Sequence, residues 1–305
     1  MKMRLSIVST LVALALGTAD AAMAQSISKS KPPRSTPLAM VEAVQLSASV
    51  LRGGASTPLA PGMELGTRDQ VRTGPQSRVV LRTADGSTVK LGEQASFFLD
   101  NARMREDNVF EAAMRIAEGA FRFTTEALEK FGGRREVNIT VKTVTAGIRG
   151  TDLWGKATSD SQIVCLIAGT IEVASPGERP FTLDRPLSFY ALEGELSRAI
   201  ATVPPDRFRE WAAETETQPG RGVSRRGGKW KIAIAPGGKH NDALQIYDEL
   251  RKTGYPAEIV PSRVGEKRVY GVRLSNFETR EDAEFVADSL KRQAGFARYD
   301  YKVAM

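Results

Sequence analysis

The C-terminal part of the chain contains an internal repeat, and this repeat restricts the possible topology more than any other feature of the sequence. A shift of 40 residues aligns six pairs of positions: Trp230 with Tyr270, Ile232 with Val272, Ile234 with Leu274, Asp242 with Asp282, Ala243 with Ala283 and Leu250 with Leu290. Each half begins with alternating apolar residues, as in a half-buried strand, and continues with an apolar stripe at helical spacing. A further strand is predicted after each helix, at residues 257–260 and 298–303. The order βαββαβ predicts an α+β, ferredoxin-like sheet with both helices on one face and the other face open.

Both helices of the repeat carry residues that are typical of helix ends. Asn241 and Thr279 are the predicted N-caps, because their side chains can accept hydrogen bonds from free backbone N–H groups of the first turn. Gly254 and Gly295 follow the two helices, where glycine readily takes the left-handed conformation that ends a helix. We therefore predict a separate C-terminal domain over residues 229–305.

Residues 38–200 are predicted to form an all-β domain of the sandwich or roll type. The run Ser77–Thr83 places apolar side chains on one face and arginines on the other, as a half-buried strand does. The dipeptide Asp85-Gly86 follows it and suits a tight hairpin turn. Similar alternating runs recur along the region, separated by glycine turns. Only Glu111–Glu118 and Thr125–Phe131 have a helical pattern, and it is weak in both.

A short helix and a linker are predicted between the two domains, at residues 201–228. Residues 204–214 have an amphipathic pattern with Phe208 and Trp211 on one face. The stretch from 215 to 228 is rich in glycine and arginine, a composition that predicts a flexible coil with an r.m.s. span of roughly 20 Å. The chain is therefore expected to be multidomain, with its two domains joined flexibly.

The N-terminus predicts export. Positively charged residues precede the apolar run Ile7–Leu16, and the small-residue motif Ala22-Met23-Ala24 follows it. This arrangement is typical of a secretory signal peptide over residues 1–24, and its apolar core is too short for a transmembrane helix. Residues 25–37 are rich in Ser, Lys and Pro and are expected to form a flexible spacer. We expect cleavage near Ala24 and no transmembrane anchor.

The content of His and Cys excludes many kinds of chemistry. The 305 residues include one His and one Cys. A zinc site needs about four ligands, and haem attachment, iron–sulfur clusters and disulfide frameworks need more thiols than this. We therefore expect no metal and no cofactor. Cys165 lies within an apolar run and is expected to be buried. The net charge of +7 would attract nucleic acid in the cytosol, but export argues against that partner.

Several short motifs between residues 41 and 198 have the order and spacing found in FecR domains. They are Val71-Arg72-Thr73-Gly74, Ser77-Arg78, Asp85-Gly86-Ser87, Leu91-Gly92, Gly147-Ile148-Arg149-Gly150-Thr151-Asp152 and Ala168-Gly169-Thr170-Ile171-Glu172-Val173. The β region thus resembles the FecR domain, a periplasmic module. Some members of that family regulate sigma factors through a membrane helix and a cytoplasmic segment. Neither part is recognised in this sequence, so the resemblance implies the stand-alone periplasmic form.

One motif of the β region is a candidate ligand site. It consists of Gly147, Arg149, Gly150, Thr151 and Asp152, which crowd polar groups around a sharp turn. The glycines allow unusual backbone angles, and Arg149 and Asp152 are placed to pair across the turn. One interpretation is a site for a small ligand. The other is a corner that holds two strands in register, because turn chemistry alone accounts for every residue of the motif.

The C-terminal repeat resembles the SPOR domain, a peptidoglycan-binding module of bacterial envelope proteins. The similarity rests on Trp230-Lys231-Ile232-Ala233-Ile234, the helix at Ala243, Gly254-Tyr255, Val269–Phe277, Asp282-Ala283 and Leu290. It implies a non-enzymatic protein that binds wall glycan, with envelope or division proteins as possible further partners. Strand alternation turns Lys231, Ala233, Gly271 and Arg273 to the open face, and these are the predicted glycan-binding residues. The two cations would donate hydrogen bonds to sugar hydroxyls above a flat floor.

Three other functions are compatible with parts of the sequence. A protein-binding regulator with a degenerate glycan face stays open, because SPOR domains often have Gln in the first strand where this chain has Ala233 and Ala235. A carbohydrate-active enzyme would need two carboxylates at a defined separation, and no such motif is recognised. The strand Val269–Arg273 loosely resembles the central strand of RNA-recognition modules, but it lacks their interleaved aromatic residues.

Overall fold

The computed structural model describes residues 37–125, 131–194, 196–197 and 200–305. The predicted signal peptide, almost all of the spacer, and residues 126–130 of the second weakly helical stretch lie outside these ranges. The described part of the N-terminal domain consists of strands β1 (Ala39–Gln45), β2 (Ala48–Arg52), β3 (Ala55–Pro58), β4 (Glu64–Leu65), β5 (Asp69–Thr73), β6 (Arg78–Thr83), β7 (Thr88–Leu91), β8 (Ser96–Met104), β9 (Val109–Thr124), β10 (Arg134–Val141), β11 (Val144–Ile148), β12 (Asp152–Ala157), β13 (Ser161–Ala168), β14 (Ile171–Ala174), β15 (Phe181–Leu183), β16 (Ser188–Glu193), β17 (Leu196–Ser197) and β18 (Ala201–Thr202). The predicted all-β architecture is confirmed.

The long strand β9 belongs to both sheets of this domain. Its first half pairs with β8 and, in parallel, with β10, whereas its second half pairs with β7 and β12. Because one strand passes from sheet to sheet, the two inner faces enclose a single apolar core. Its largest fully buried side chains include Phe97, Phe110, Phe121, Phe123, Leu81, Leu99, Met114 and Ile116.

The segment Glu111–Glu118, predicted to be weakly helical, is part of β9 instead. Ala112, Met114 and Ile116 are fully buried and alternate with half-buried residues such as Arg115. That period of two suits a strand, since a helix would spread these positions around its axis. The segment contains good helix formers, and pairing with strands on both sides outweighs their intrinsic preference.

Helix α1 (Pro205–Ala213) covers part of the outer face of one sheet. The Trp211 ring stacks on Trp154, with centroids 4.8 Å apart and planes 13° from parallel. Phe208 packs into the same cluster, so the apolar face predicted for this helix is the face that contacts the sheet. Cys165 lies beneath the cluster and is fully buried, as expected.

Cys165 is expected to be chemically inert in the folded protein. Burial raises the pKa of its thiol to about 12, so almost no thiolate exists near neutral pH, and the thiolate is the reactive form. A thiol-reactive chromogenic disulfide at pH 8 should therefore leave the native protein unlabelled while it labels the guanidinium-unfolded chain fully. Rapid labelling of the native protein would contradict the burial of this residue.

The C-terminal domain has the predicted βαββαβ order. Its elements are β20 (Trp230–Gly238), α2 (His240–Lys252), β21 (Glu258–Val264), β22 (Lys267–Phe277), α3 (Arg280–Lys291) and β23 (Tyr301–Ala304). The strands form an antiparallel sheet in the order β21-β22-β20-β23. Apolar residues of α2 and α3 pack on one face of this sheet, against Ile232, Ile234, Val272 and Leu274. The ferredoxin-like prediction is confirmed.

One of the two predicted N-caps is wrong. Thr279 caps α3 in a capping box, in which Thr279 and Asp282 bond each other's backbone N–H groups through their side chains. Helix α2, in contrast, begins at His240, before the predicted cap Asn241, and Lys239 at its N-cap makes no side-chain bond. The His240 ring packs on Tyr270 with centroids 4.7 Å apart. The packing of His240 on Tyr270 therefore accompanies a helix start that N-cap preferences do not predict.

The predicted flexible linker, Thr215–Gly228, is a structured connection instead. Within it, β19 (Val223–Arg225) pairs with β1 of the N-terminal domain, and its residue Ser224 forms a bridge with Phe277 of β22. Val223 is fully buried, and the Ser224 hydroxyl donates to the Val44 carbonyl at 3.0 Å. One strand thus connects the sheets of the two domains.

Glycine in this connection serves close packing rather than flexibility. Gly222 has φ +88, and a Cβ there would lie 2.8 Å from Val286 and 2.9 Å from Leu46. The position therefore brings the connection against α3 of one domain and the β1–β2 turn of the other. Composition alone cannot separate this use of glycine from its use in flexible coils, which explains the incorrect prediction.

The buried carboxylate of Asp282 fixes the connection to the C-terminal domain. Its Oδ1 accepts the backbone N–H groups of Gly222 and Val223 at 3.0 and 2.9 Å. Its Oδ2 accepts the N–H and hydroxyl of Thr279 at 3.2 and 2.8 Å. Asp282 is fully buried, and four donors satisfy its charge. A single side chain therefore caps α3 and holds the incoming chain.

Candidate functional site

The open face of the C-terminal sheet brings the four predicted glycan-binding residues together. Lys231, Ala233, Gly271 and Arg273 are half-buried, while Ile232 and its alternating neighbours are buried beneath the helices. Ala233 and Arg273 are direct partners across β20 and β22. Their common placement follows from the strand alternation on which the prediction rests.

A row of four cross-strand partners runs over this face. Lys302 of β23 lies opposite Ala233, Ala233 lies opposite Arg273, and Arg273 lies opposite Glu258 of β21. Directly opposed residues share a face, so Lys302 and Glu258 extend the site beyond the predicted set. Alternation within β23 could have indicated Lys302. The placement of Glu258 on this face could be predicted only from the β21–β22 register, which the sequence alone does not give.

Charge on the open face is only partly neutralised. Arg273 Nη2 donates to Glu258 Oε2 at 2.9 Å, and both side chains are substantially exposed. Arg273 Nε is buried and has no hydrogen-bond partner. Neither Lys231 nor Lys302 forms an ion pair with any residue in the described ranges. The ammonium groups of the two lysines are free to bind hydroxyl or carboxylate oxygens of a ligand.

A groove of about 320 Å³ opens at the edge of this surface. It is lined by Gly228, Lys229, Trp230, Lys231, Glu258, Arg273, Ser275 and Asn276. Trp230 belongs to the inner-facing set by simple alternation, but the register between β20 and β22 shifts between Trp230 and Ile232. Trp230 nonetheless pairs with the buried Phe277 and packs against the core of the C-terminal domain, so its contact with the groove does not place it on the open face. Most of the other lining residues supply polar donors and acceptors, a lining suited to a sugar.

The turn motif of the N-terminal domain divides between two sheets. Gly147 lies near the end of β11 in one sheet, and after the turn at Gly150, with φ +90, Asp152 begins β12 in the other. The expected Arg149–Asp152 pair is wrong: Asp152 binds Arg122 at 2.6 Å. The chain changes sheets between the two residues, so Asp152 is directed to the neighbouring strand β9.

The residues of the turn motif consequently have different environments. Gly147 and Arg149 line an open groove of about 470 Å³ together with Asn138 and Glu172. Thr151 is buried, and its hydroxyl has no partner in the structure. The corner interpretation accounts for Gly150 and Asp152, which turn the chain and fix it to β9. The ligand interpretation for the remaining residues stays a prediction.

Comparisons with known proteins agree with the motifs. Residues 69–172 match the family model described as FecR protein, and residues 226–299 match the model of the SPOR domain. The chain contains a FecR domain and a SPOR domain. Its open sheet face, with Lys231 and Arg273, is therefore the open face of the SPOR domain.

Solved structures provide a weaker likeness. Two crystal structures of a candidate anti-sigma factor from Parabacteroides distasonis, at 1.65 and 2.50 Å resolution, are each 16% identical to this chain. Each aligns with 74% of this chain, over 92% and 91% of its own length, with a TM-score of 0.38. No curated protein matches the chain.

Within the described ranges, His, Cys, Asp and Glu nowhere form a group of three or more that could hold a metal ion. Over the same residues, none of the helices combines the length and apolar character that crossing a bilayer requires. The FecR and SPOR families to which the two domains belong are non-catalytic regulatory or binding modules.

Proposed function

We propose that this protein is a non-enzymatic periplasmic envelope protein whose SPOR domain binds peptidoglycan glycan and holds the FecR domain at the wall. The FecR domain then acts there as a regulatory or scaffold module. The observation that supports this most is the row of cross-strand partners on the open SPOR face, in which the small side chain of Ala233 lies between Lys302 and Arg273.

The chemistry of this row fits a glycan strand. Small side chains at Ala233 and Gly271 leave room for the flat face of a sugar ring, while the flanking cations donate hydrogen bonds to its oxygens. Ser275 and Asn276 extend the polar surface along the groove. Lys231 and Arg273 can also pair with carboxylates of the wall.

Charge reversal on the open face is expected to abolish most wall binding. In sedimentation with purified sacculi, Lys231→Glu and Arg273→Glu should each lose most of the binding of the mature protein, because each replaces a donor cation with a repelling carboxylate. The matched control is Lys252→Glu, which reverses an exposed lysine at the end of α2, on the helical side of the domain. Circular dichroism should show unchanged folding in all three variants.

Three outcomes of this experiment separate the alternatives. Unchanged sedimentation of both open-face variants would place the glycan site elsewhere. Failure of the wild type to sediment, with intact and with amidase-treated sacculi, would favour the protein-binding regulator, whose glycan face is degenerate at Ala233 and Ala235. Release of soluble muropeptides from the sacculi would contradict the non-enzymatic assignment.

A further inference from the structure

A small polar cavity lies where the FecR domain, the connection and the SPOR domain meet. Its volume is about 230 Å³, several times the space that one water molecule needs. The polar side chains that line it are Gln45, Gln76, Arg78, Glu93, Gln218 and Arg221. Phe285 of α3 closes it on the SPOR side. An occupant of this cavity would contact both domains.

Arg78 is a buried cation without a counter-ion. Two arginines are buried in the described part of the chain, Arg78 at 9% and Arg135 at 7% exposure. Arg135 pairs with Asp85 at 2.6 Å, but Arg78 forms no ion pair with any described residue. Its Nη1 donates to the Gln76 carbonyl at 3.2 Å, and its Nε is buried without a partner. Buried charges are normally paired, so this guanidinium lacks an anion.

A second guanidinium lines the same cavity from the connection. Arg221 is exposed, lies 5.5 Å from the centroid of the Phe285 ring, and forms no ion pair within the described ranges. Glu93 is the only acid among the lining residues, and its Oε2 already accepts the Gln76 N–H at 2.7 Å. Two cations and one carboxylate leave a net positive lining that suits a monoanion better than a polyanion.

The walls of the cavity are held in position. The Gln45 amide donates to the Gln76 carbonyl at 3.0 Å and accepts the Gln218 N–H at 2.8 Å. Leu46, Gln76 and Gln94, on three separate loops around the cavity, have φ between +50 and +58. Such left-handed backbone is costly for residues other than glycine and tends to occur at binding sites. Hydrogen bonds therefore hold the walls at Gln45 and Gln76 in position, while several other lining side chains are exposed and leave the cavity open to solvent.

We propose that this cavity binds a small carboxylate-bearing ligand, with Arg78 as its buried counter-ion and Arg221 as its second donor. Guanidinium groups recognise carboxylates through paired hydrogen bonds. The nearby Glu93 disfavours a doubly charged phosphate and can accept an ammonium group, so a simple amino acid also fits. This site is separate from the open SPOR face and does not depend on glycan binding.

Calorimetric titration of the mature protein with acetate, glycine and inorganic phosphate, at matched ionic strength, tests the proposal. Acetate or glycine should bind with a stoichiometry of one, and phosphate more weakly. Arg78→Gln should weaken carboxylate binding by about tenfold or more, since a hydrogen bond to a charged group is lost. Arg221→Gln, on the exposed side, should weaken it by a smaller factor. The control Arg103→Gln removes an exposed arginine of β8 that pairs with Glu111 and should change nothing.

Three results would overturn the proposal. Absence of saturable heat with both carboxylates would exclude the site, and tighter binding of phosphate would exclude the carboxylate class. Equal binding by the wild type and Arg221→Gln would remove the connection from the site, even if Arg78→Gln were unstable. Sacculus sedimentation of Arg78→Gln should equal that of the wild type, which separates this site from the open SPOR face.

Discussion

Replacing Asp85 with Ala is expected to lower the free energy of unfolding of the FecR domain by about 3–5 kcal/mol, the range typical of a buried ion pair that loses one partner. The Asp85 carboxylate is fully buried and binds Arg135 Nε at 2.6 Å, and it also accepts the hydroxyls of Thr83 and Ser87. Its loss would leave the Arg135 charge buried and unpaired. Chemical denaturation followed by tryptophan fluorescence measures the effect.

A double variant identifies the cause of this loss. Asp85→Ala combined with Arg135→Met removes both charges, and it should recover much of the stability because an apolar replacement needs no counter-ion. The matched control is Asp100→Ala, which removes an exposed carboxylate paired with Arg115 and should cost less than about 1 kcal/mol. If the double variant is no more stable than Asp85→Ala, the uncompensated charge is not the cause.

Asp282→Ala is expected to separate the two domains and to lower the free energy of unfolding of the SPOR domain by about 3 kcal/mol or more, because two buried N–H groups lose their acceptor. These are the N–H groups of Gly222 and Val223, at 3.0 and 2.9 Å from Oδ1. In brief trypsin digestion the wild-type connection should resist cleavage. The variant should be cut at arginines between residues 221 and 226.

The control for this prediction is Thr279→Ala. It removes the cap of α3 but leaves Asp282 bound to the connection, so it should cost only about 1 kcal/mol and leave the connection resistant. Cleavage of the wild type at the connection, before any cut within the FecR domain, would show that β19 does not hold the domains together in solution.

Periodicity in the sequence predicted those parts of the fold that depend on local pattern. Alternation at Ile232 and Ile234, with the helical stripes that follow, was sufficient for the SPOR topology, because each element faces the same core. Strand β9 was partly missed, since a run such as Ala112-Ala113-Met114 favours a helix until neighbouring strands pair with it. The strand β19 was missed because its partners, β1 and β22, are distant in sequence.

The candidate site divides in the same way. Lys231, Ala233, Gly271 and Arg273 were predicted to share a face by counting along two strands, and the structure places them on one face. The groove beside them was not predicted, because Glu258 and Asn276 reach it through the pairing of β21, β22 and β20, and that pairing depends on tertiary structure. The polar cavity around Arg78 was not anticipated, since its walls come from strands, loops and a helix that are far apart in sequence.

The strand β19, which pairs with the sheets of both domains, affects how the protein would contact its partners. A flexible coil between the domains would let the FecR domain move within roughly 20 Å of the SPOR domain and rotate freely. Because β19 pairs with strands of both domains, a SPOR domain bound to a glycan strand would instead hold the FecR domain in a single orientation. Copies bound along the same glycan strand would then all expose the same FecR surface. A partner would meet an oriented array that it can contact from one direction.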